Sequence, residues 1–211
     1  PVQRVVCLGS PLRGSGTARS LSDHGWGLAL GRSSELLLDG LPDWQGKAEV
    51  GLIAGSVAIG HPDRVASVTL ICPAGLGEPI NAAYVDGFVK ATGRRDLKPV
   101  LGYLFHDQSL VSRAMVEDLL KYKRLDGVQE FLAELAGNLF RQGRQAEQLA
   151  EALAASGVPA QVIWGEADAV IPAAHAAALP GAQVSVIPDA GHMVQMEQSA
   201  EVNRLIRDFI A

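Results

Sequence analysis

Six short apolar runs, at 4–8, 35–39, 50–54, 67–72, 160–164 and 183–187, are rich in Val, Ile and Leu. Most are apolar nearly throughout, the pattern of parallel strands covered on both faces. Helical periodicity separates the later runs. In the last segment Val202, Leu205, Ile206, Phe209 and Ile210 share one helix face, with Ser199 as a natural N-cap. Strand and helix in alternation predict an α/β fold: a mainly parallel sheet with helices on both faces.

The character changes between 78 and 156. Val111, Met115, Leu119 and Tyr122 recur at helical spacing, and so do Val128, Phe131, Leu132, Leu135 and Leu139. The second set follows an Asp126…Gln129 pair with the form of a capping box. No strand pattern interrupts them. The chain therefore divides into a core, 1–77 with 157–211, and an all-helical insertion at 78–156. Such an insertion covers the sheet's carboxyl edge or adds a packing layer. The first fifty residues are less legible: SPLRGSGTARS is rich in Gly and Ser, and GLPDWQGK reads as a turn.

Composition narrows the function classes. A chain of 211 residues suits one domain that buries roughly 70% of its unfolded surface. With 48% hydrophobic and 19% charged residues it is globular, not disordered. A net charge of −5 without any basic stripe argues against a nucleic-acid partner. No apolar run approaches the roughly 20 residues needed to cross a bilayer, so no membrane partner is expected. Cys7 and Cys72 are the only cysteines, which fits a cytoplasmic location and two small core side chains better than a disulfide or a metal pair.

The candidate chemistry lies near the C-terminus. In VIWGEADAVIP (162–172) a strand ends in a Gly turn followed by Asp168; in VSVIPDAGHMVQME (184–197) a strand ends in a turn followed by His192. Loops after successive parallel strands emerge on one edge, so both side chains should enter one crevice. An Asp bonded to one imidazole nitrogen fixes the tautomer and stabilises the imidazolium formed when the other nitrogen takes a proton. Taken singly, Asp168 reads equally as a turn-capping residue and His192 as a surface histidine. His24, His61, His106 and His175 have no second ligand at metal spacing and read as solvated or structural.

The segments GEADAVIP, PDAGHMVQME and HPDRVASVTLICPAGLG, with the order Ser…Asp…His, resemble the α/β-hydrolase family. The helical insertion resembles that family's cap. CPAGLGEPINAAYVDGF, LLKYKRLDGV and ALPGAQVSVIPDAGHMVQMEQSAEVNRLI are similar to one branch, the hydrolase-like C-terminal domain of acetoin dehydrogenase acetyltransferase (E2) components, over 61–211. The resemblance implies an acyl hydrolase or acyltransferase using a Ser-His-Asp mechanism, a small-molecule acyl substrate and no cofactor. It also implies a lipoyl-bearing dehydrogenase complex as partner. No lipoyl segment occurs in this sequence, so the chain reads as a fragment or a free-standing relative.

The candidate nucleophile is Ser56. The family pattern G-x-S-x-G exposes a serine on a sharp strand-to-helix turn. No serine here has Gly on both sides at that spacing; Ser56 has Ala54 and Ala58 instead. Ser10 and Ser15 follow a strand to which the resemblance gives another role, and the family's His-Gly oxyanion loop is replaced by Cys7-Leu8-Gly9-Ser10. Residues 57–60 supply only about 6 Å of helix before His61-Pro62-Asp63-Arg64, whereas a parallel crossover needs a dozen residues or more. The expectation is an N-terminal part that is incomplete, with a gap before His61. Two other readings stay open: a non-catalytic hydrolase fold kept for assembly, and a small-molecule receptor using the same pocket.

Overall fold

The computed structural model describes residues 5–8, 58–60 and 62–211. The strands expected at 35–39 and 50–54, the candidate nucleophile Ser56 and the histidines at 24 and 61 lie outside the described residues. Four strands form one parallel sheet in the order β1-β2-β5-β6: β1 Val5–Leu8, β2 Val68–Ile71, β5 Ala160–Gly165 and β6 Gln183–Ile187. Leu8 sits opposite Ile71, Ile71 opposite Ile163, and Gly165 opposite Ile187. All four strands therefore end on the same edge.

The middle strands carry the core. Val68, Val162, Ile163 and Trp164 are fully buried. A buried polar relay ties the layers together: Thr69 Oγ1 donates to Gln161 Oε1 at 3.1 Å, and Gln161 Nε2 donates to the Leu205 carbonyl at 3.0 Å. Leu205 belongs to the last helix, α7 (Ser199–Ile210), which lays Val202 and Leu205 into the core. Two readings of this region change. Gln198, not Ser199, takes the N-cap position of α7. β6 is half-exposed, because it is the last strand of the sheet and Val184 and Val186 face outward.

Between β2 and β5 run α1 Ala82–Lys90, α2 Arg94–Leu101, α3 Arg113–Lys123, α4 Val128–Leu139 and the short α5 Ala150–Ala155. This segment has its own apolar cluster, with Leu97, Leu101, Phe105, Val116 and Leu120 at its centre. It is not all helix. Phe140–Arg141 (β3) and Arg144–Gln145 (β4) form a hairpin over Gln142 and Gly143, both with positive φ, too short to leave a periodic signal. The Asp126…Gln129 box does not form either. Gly127, at φ +78°, takes the N-cap position, and Gln129 instead donates to the Val89 carbonyl.

Polar ties hold this segment to the sheet's carboxyl edge. Asn81 donates its backbone N–H to the Val170 carbonyl and its side-chain amide to the Ala169 carbonyl, both at 2.8 Å. Buried Gln145 accepts from Gly75 N–H at 2.7 Å through its side-chain oxygen. A groove of about 810 Å³ between α2 and α3 is lined by Arg94, Arg95, Lys98, Lys121, Arg124 and Glu117, among others, and by neither Asp168 nor His192. It is a charged surface feature, separate from the crevice at the sheet edge.

Leu97 is fully buried and Phe131 is 46% exposed. Leu97→Ala should cost about 2–5 kcal/mol in urea unfolding and Phe131→Ala under about 1 kcal/mol; equal costs would contradict the separate cluster. His175 is buried, its ring lies where a Cβ on Gly77 would come within 2.6 Å, and it meets the Trp164 ring edge-on. Burial holds its pKa below the usual histidine value, the Asp168 charge opposing only in part. The unfolded chain thus takes up a proton near pH 6.5 that the folded chain refuses, so stability is full above that pH and falls as pH drops below it. His175→Phe should flatten the decline between pH 7 and pH 5 in denaturation experiments.

Candidate active site

β5 and β6 are adjacent, and the loops that leave them cross at close range. An ideal Cβ on Gly165 would lie 2.1 Å from the Gly191 carbonyl oxygen and 2.5 Å from that of Ala190. Only glycine lets the second loop lie against the end of β5. Ala167 N–H donates to the Ala190 carbonyl at 2.9 Å, which stitches the two turns together.

That contact brings the two candidates together. His192 Nδ1 lies 2.8 Å from Asp168 Oδ2, with the Asp168 side chain fully buried and the His192 side chain 17% exposed. A carboxylate can only accept, so Nδ1 carries the hydrogen, and in the neutral ring Nε2 holds the lone pair. No group among the described residues bonds Nε2. Asp168 is fixed on every side. Trp164 Nε1–H donates to Oδ2 at 2.8 Å, and the N–H groups of Val170 and Ile171 donate to Oδ1 at 2.8 and 3.0 Å. The turn-capping reading and the histidine-partner reading of Asp168 are therefore both true: one oxygen closes the turn, the other faces the imidazole. A buried charge is tolerable when its lone pairs are filled in this way.

Three neighbours carried no readable signal in sequence. Trp164 looked like a core residue, yet its indole N–H serves the site. Cys72 follows β2 with φ +44°, is buried, and sets its Sγ within 4.8 Å of the Asp168 and His192 ligand atoms. Burial first, and the Asp168 charge second, raise its pKa far above the usual thiol value, so it is a neutral thiol. Tyr84 of α1 is pushed up to about 12, by burial and then by the same charge, and stays a phenol.

Cys72, Asp168 and His192 have metal-ligand chemistry. Two ligands on a tetrahedral zinc at 2.0–2.1 Å would stand about 3.3 Å apart. The 2.8 Å spacing of Nδ1 and Oδ2 is that of a hydrogen bond. This pair is too close to stand as two ligands on one zinc ion.

The other histidines do not join the pair. His106 is half-exposed and 3.9 Å from Asp189; His175 is a packed core ring. β1, beside β2, ends on the same edge as the site, while Ser56 and Ser10 are outside the described residues.

The sequence model of the alpha/beta hydrolase family matches residues 5–205. The chain belongs to that family. It is 52% identical over 158 residues to the dihydrolipoyllysine-residue acetyltransferase component of the acetoin cleaving system of Cupriavidus necator, covering 74% of this chain and 42% of the relative. The Pseudomonas putida protein of the same name is 49% identical, at 76% and 43% coverage. This chain thus spans less than half the length of these relatives. Among solved structures, a meta-cleavage product hydrolase from Pseudomonas fluorescens superimposes with a TM-score of 0.65 at 23% identity, covering 76% of this chain and 61% of that one. A Bacillus subtilis carboxylesterase gives 0.60 at 19% identity, covering 76% and 56%. The α/β-hydrolase fold is shared by all of them.

Asp168→Asn tests the wiring. Asn can still close the turn through its oxygen, but its NH₂ would oppose both the indole N–H and Nδ1–H. The imidazole should switch to the Nε2–H form in ¹⁵N NMR, and the fold should lose about 1–3 kcal/mol. An unchanged tautomer would refute the assigned bond.

Proposed function

We propose that this chain is the hydrolase-fold part of an acyl-hydrolysing or acyl-transferring enzyme, with Asp168 and His192 as two members of a Ser-His-Asp triad. The observation that supports it most is the buried carboxylate bonded to Nδ1, with Nε2 facing no partner among the described residues. In this reading a serine hydroxyl attacks the carbonyl carbon of a small acyl substrate as Nε2 removes its proton. Asp168 holds the ring and stabilises the imidazolium. The proton then passes to the leaving group, and water or an acceptor thiol or hydroxyl takes the acyl group by the same steps in reverse. Backbone N–H donors aimed at the oxyanion would contribute about 3–4 kcal/mol each.

The names of the two acetoin cleaving system relatives support acyl transfer as the reaction class, and fit the lipoyl-bearing dehydrogenase complex that the sequence resemblance implies as the setting. Ser56 is the candidate nucleophile. Because β1 ends on the same edge as the pair, Ser10 is a second candidate. A non-catalytic, assembly-only domain is favoured by Ala54 and Ala58 in place of glycines, and disfavoured by the closed Asp–His geometry.

A fluorophosphonate probe on the whole chain separates these readings. Stoichiometric labelling is expected, mapping to one serine by peptide mass spectrometry and slowed at least 100-fold in His192→Ala. Loss of the label in Ser56→Ala names Ser56; a label on Ser10 moves the nucleophile there. No labelling of protein that melts cooperatively would sink the catalytic reading.

A further inference from the structure

Besides their contact with the end of β5, the residues on both sides of His192 are fastened to the helical segment. Met193 N–H donates to the Leu104 carbonyl at 2.9 Å, and the Met193 side chain packs against the cluster of Leu97, Leu101 and Phe105. On the other side, Gly191 lies so near residues 104–106 that a Cβ there would come within 2.8 Å of His106 N and 3.0 Å of the Leu104 oxygen. Across this seam sits one carboxylate. Glu197, at the end of the one-turn helix α6 (Val194–Glu197), accepts from Gly191 N–H through Oε2 at 2.6 Å and from Asp107 N–H through Oε1 at 2.9 Å.

We propose that Glu197 is a positioning residue that clamps the His192 loop to residues 102–107, so that the base is aligned only while this part of the helical segment is docked. The loop between β6 and α6 has no ladder bonds to fix the imidazole, and a main-chain N–H can be held from the side only by an acceptor. A carboxylate offers an oxygen to each of two donors at once. A glutamine has one oxygen, and its NH₂ would face the other N–H. An aspartate is one methylene shorter and reaches one donor at a time. Placement of the helical segment and orientation of the base thereby become a single event, which links substrate enclosure to proton transfer. Its catalytic consequence rests on the acyl-transfer reading; the clamp itself rests on the bonds alone.

Hydrogen exchange on the whole chain, with wild type, Glu197→Gln and Glu197→Ala compared, tests it together with fluorophosphonate labelling. In both variants the amides of 191–193 and of 102–107 should exchange at least tenfold faster, and together, while β5 amides keep their protection. Labelling should slow at least tenfold. Loosening of one segment without the other, loosening spread equally over β5, or slower labelling with exchange unchanged would each overturn the clamp. If wild type takes no label but both segments loosen together, the clamp stands and the acyl-transfer reading falls.

Discussion

The 2.8 Å bond between His192 Nδ1 and Asp168 Oδ2 exists because β5 and β6 run parallel, side by side and in a register that ends them together. Each strand releases its chain at the same edge, about 5 Å from the other, the ordinary spacing of paired strands. A one-residue shift in register would turn His192 and Asp168 out of reach of each other. The glycine at 165 is the condition for this closeness: any side chain there would strike the backbone that carries the histidine. The bond is therefore a property of the sheet as much as of the two residues that form it.

Much of this was legible. A Gly turn after one buried strand and a Pro-Asp-Ala-Gly turn after the next were enough to place an acid and an imidazole at one edge, since parallel strands leave few alternatives. The four strands of the parallel sheet fall within a residue or so of their apolar runs. Other features were hidden for definite reasons. The Trp164 indole reads as core in any hydrophobic pattern, because one face is core; only the coordinates reveal its N–H on Asp168. Cys72 becomes part of the site through a left-handed backbone that no non-glycine residue announces. The capping box at 126–129 failed because Gln129 finds a carbonyl on another helix, a tertiary bond outweighing a local one.

Glu197 was illegible for a different reason. Five residues beyond the histidine, in a short run that looks like the start of a helix, it resembles any solvent-facing acid. Its role comes from two N–H groups that belong to distant parts of the chain, one of them ninety positions earlier. A side chain that accepts from long-range main-chain donors leaves no periodicity and no composition bias behind.

The halves of the site differ in how they are held. The Asp168–His192 pair is closed by the ends of β5 and β6 and the turns that follow them, buttressed by residues 102–107. In the proposed triad the nucleophile comes from another strand end on the same edge, where the sheet order puts β1 beside β2. Triad geometry of this kind imposes separate demands on the two halves: a rigid, desolvated pair on one side, and on the other a hydroxyl exposed by a tight turn with small neighbours. The first demand is met by glycine, tryptophan and two backbone donors around one carboxylate. The second is assigned to Ser56 or Ser10 only by the proposal above, and the flanking residues of both depart from the two-glycine pattern, so the pair constrains the chemistry more tightly than either serine does.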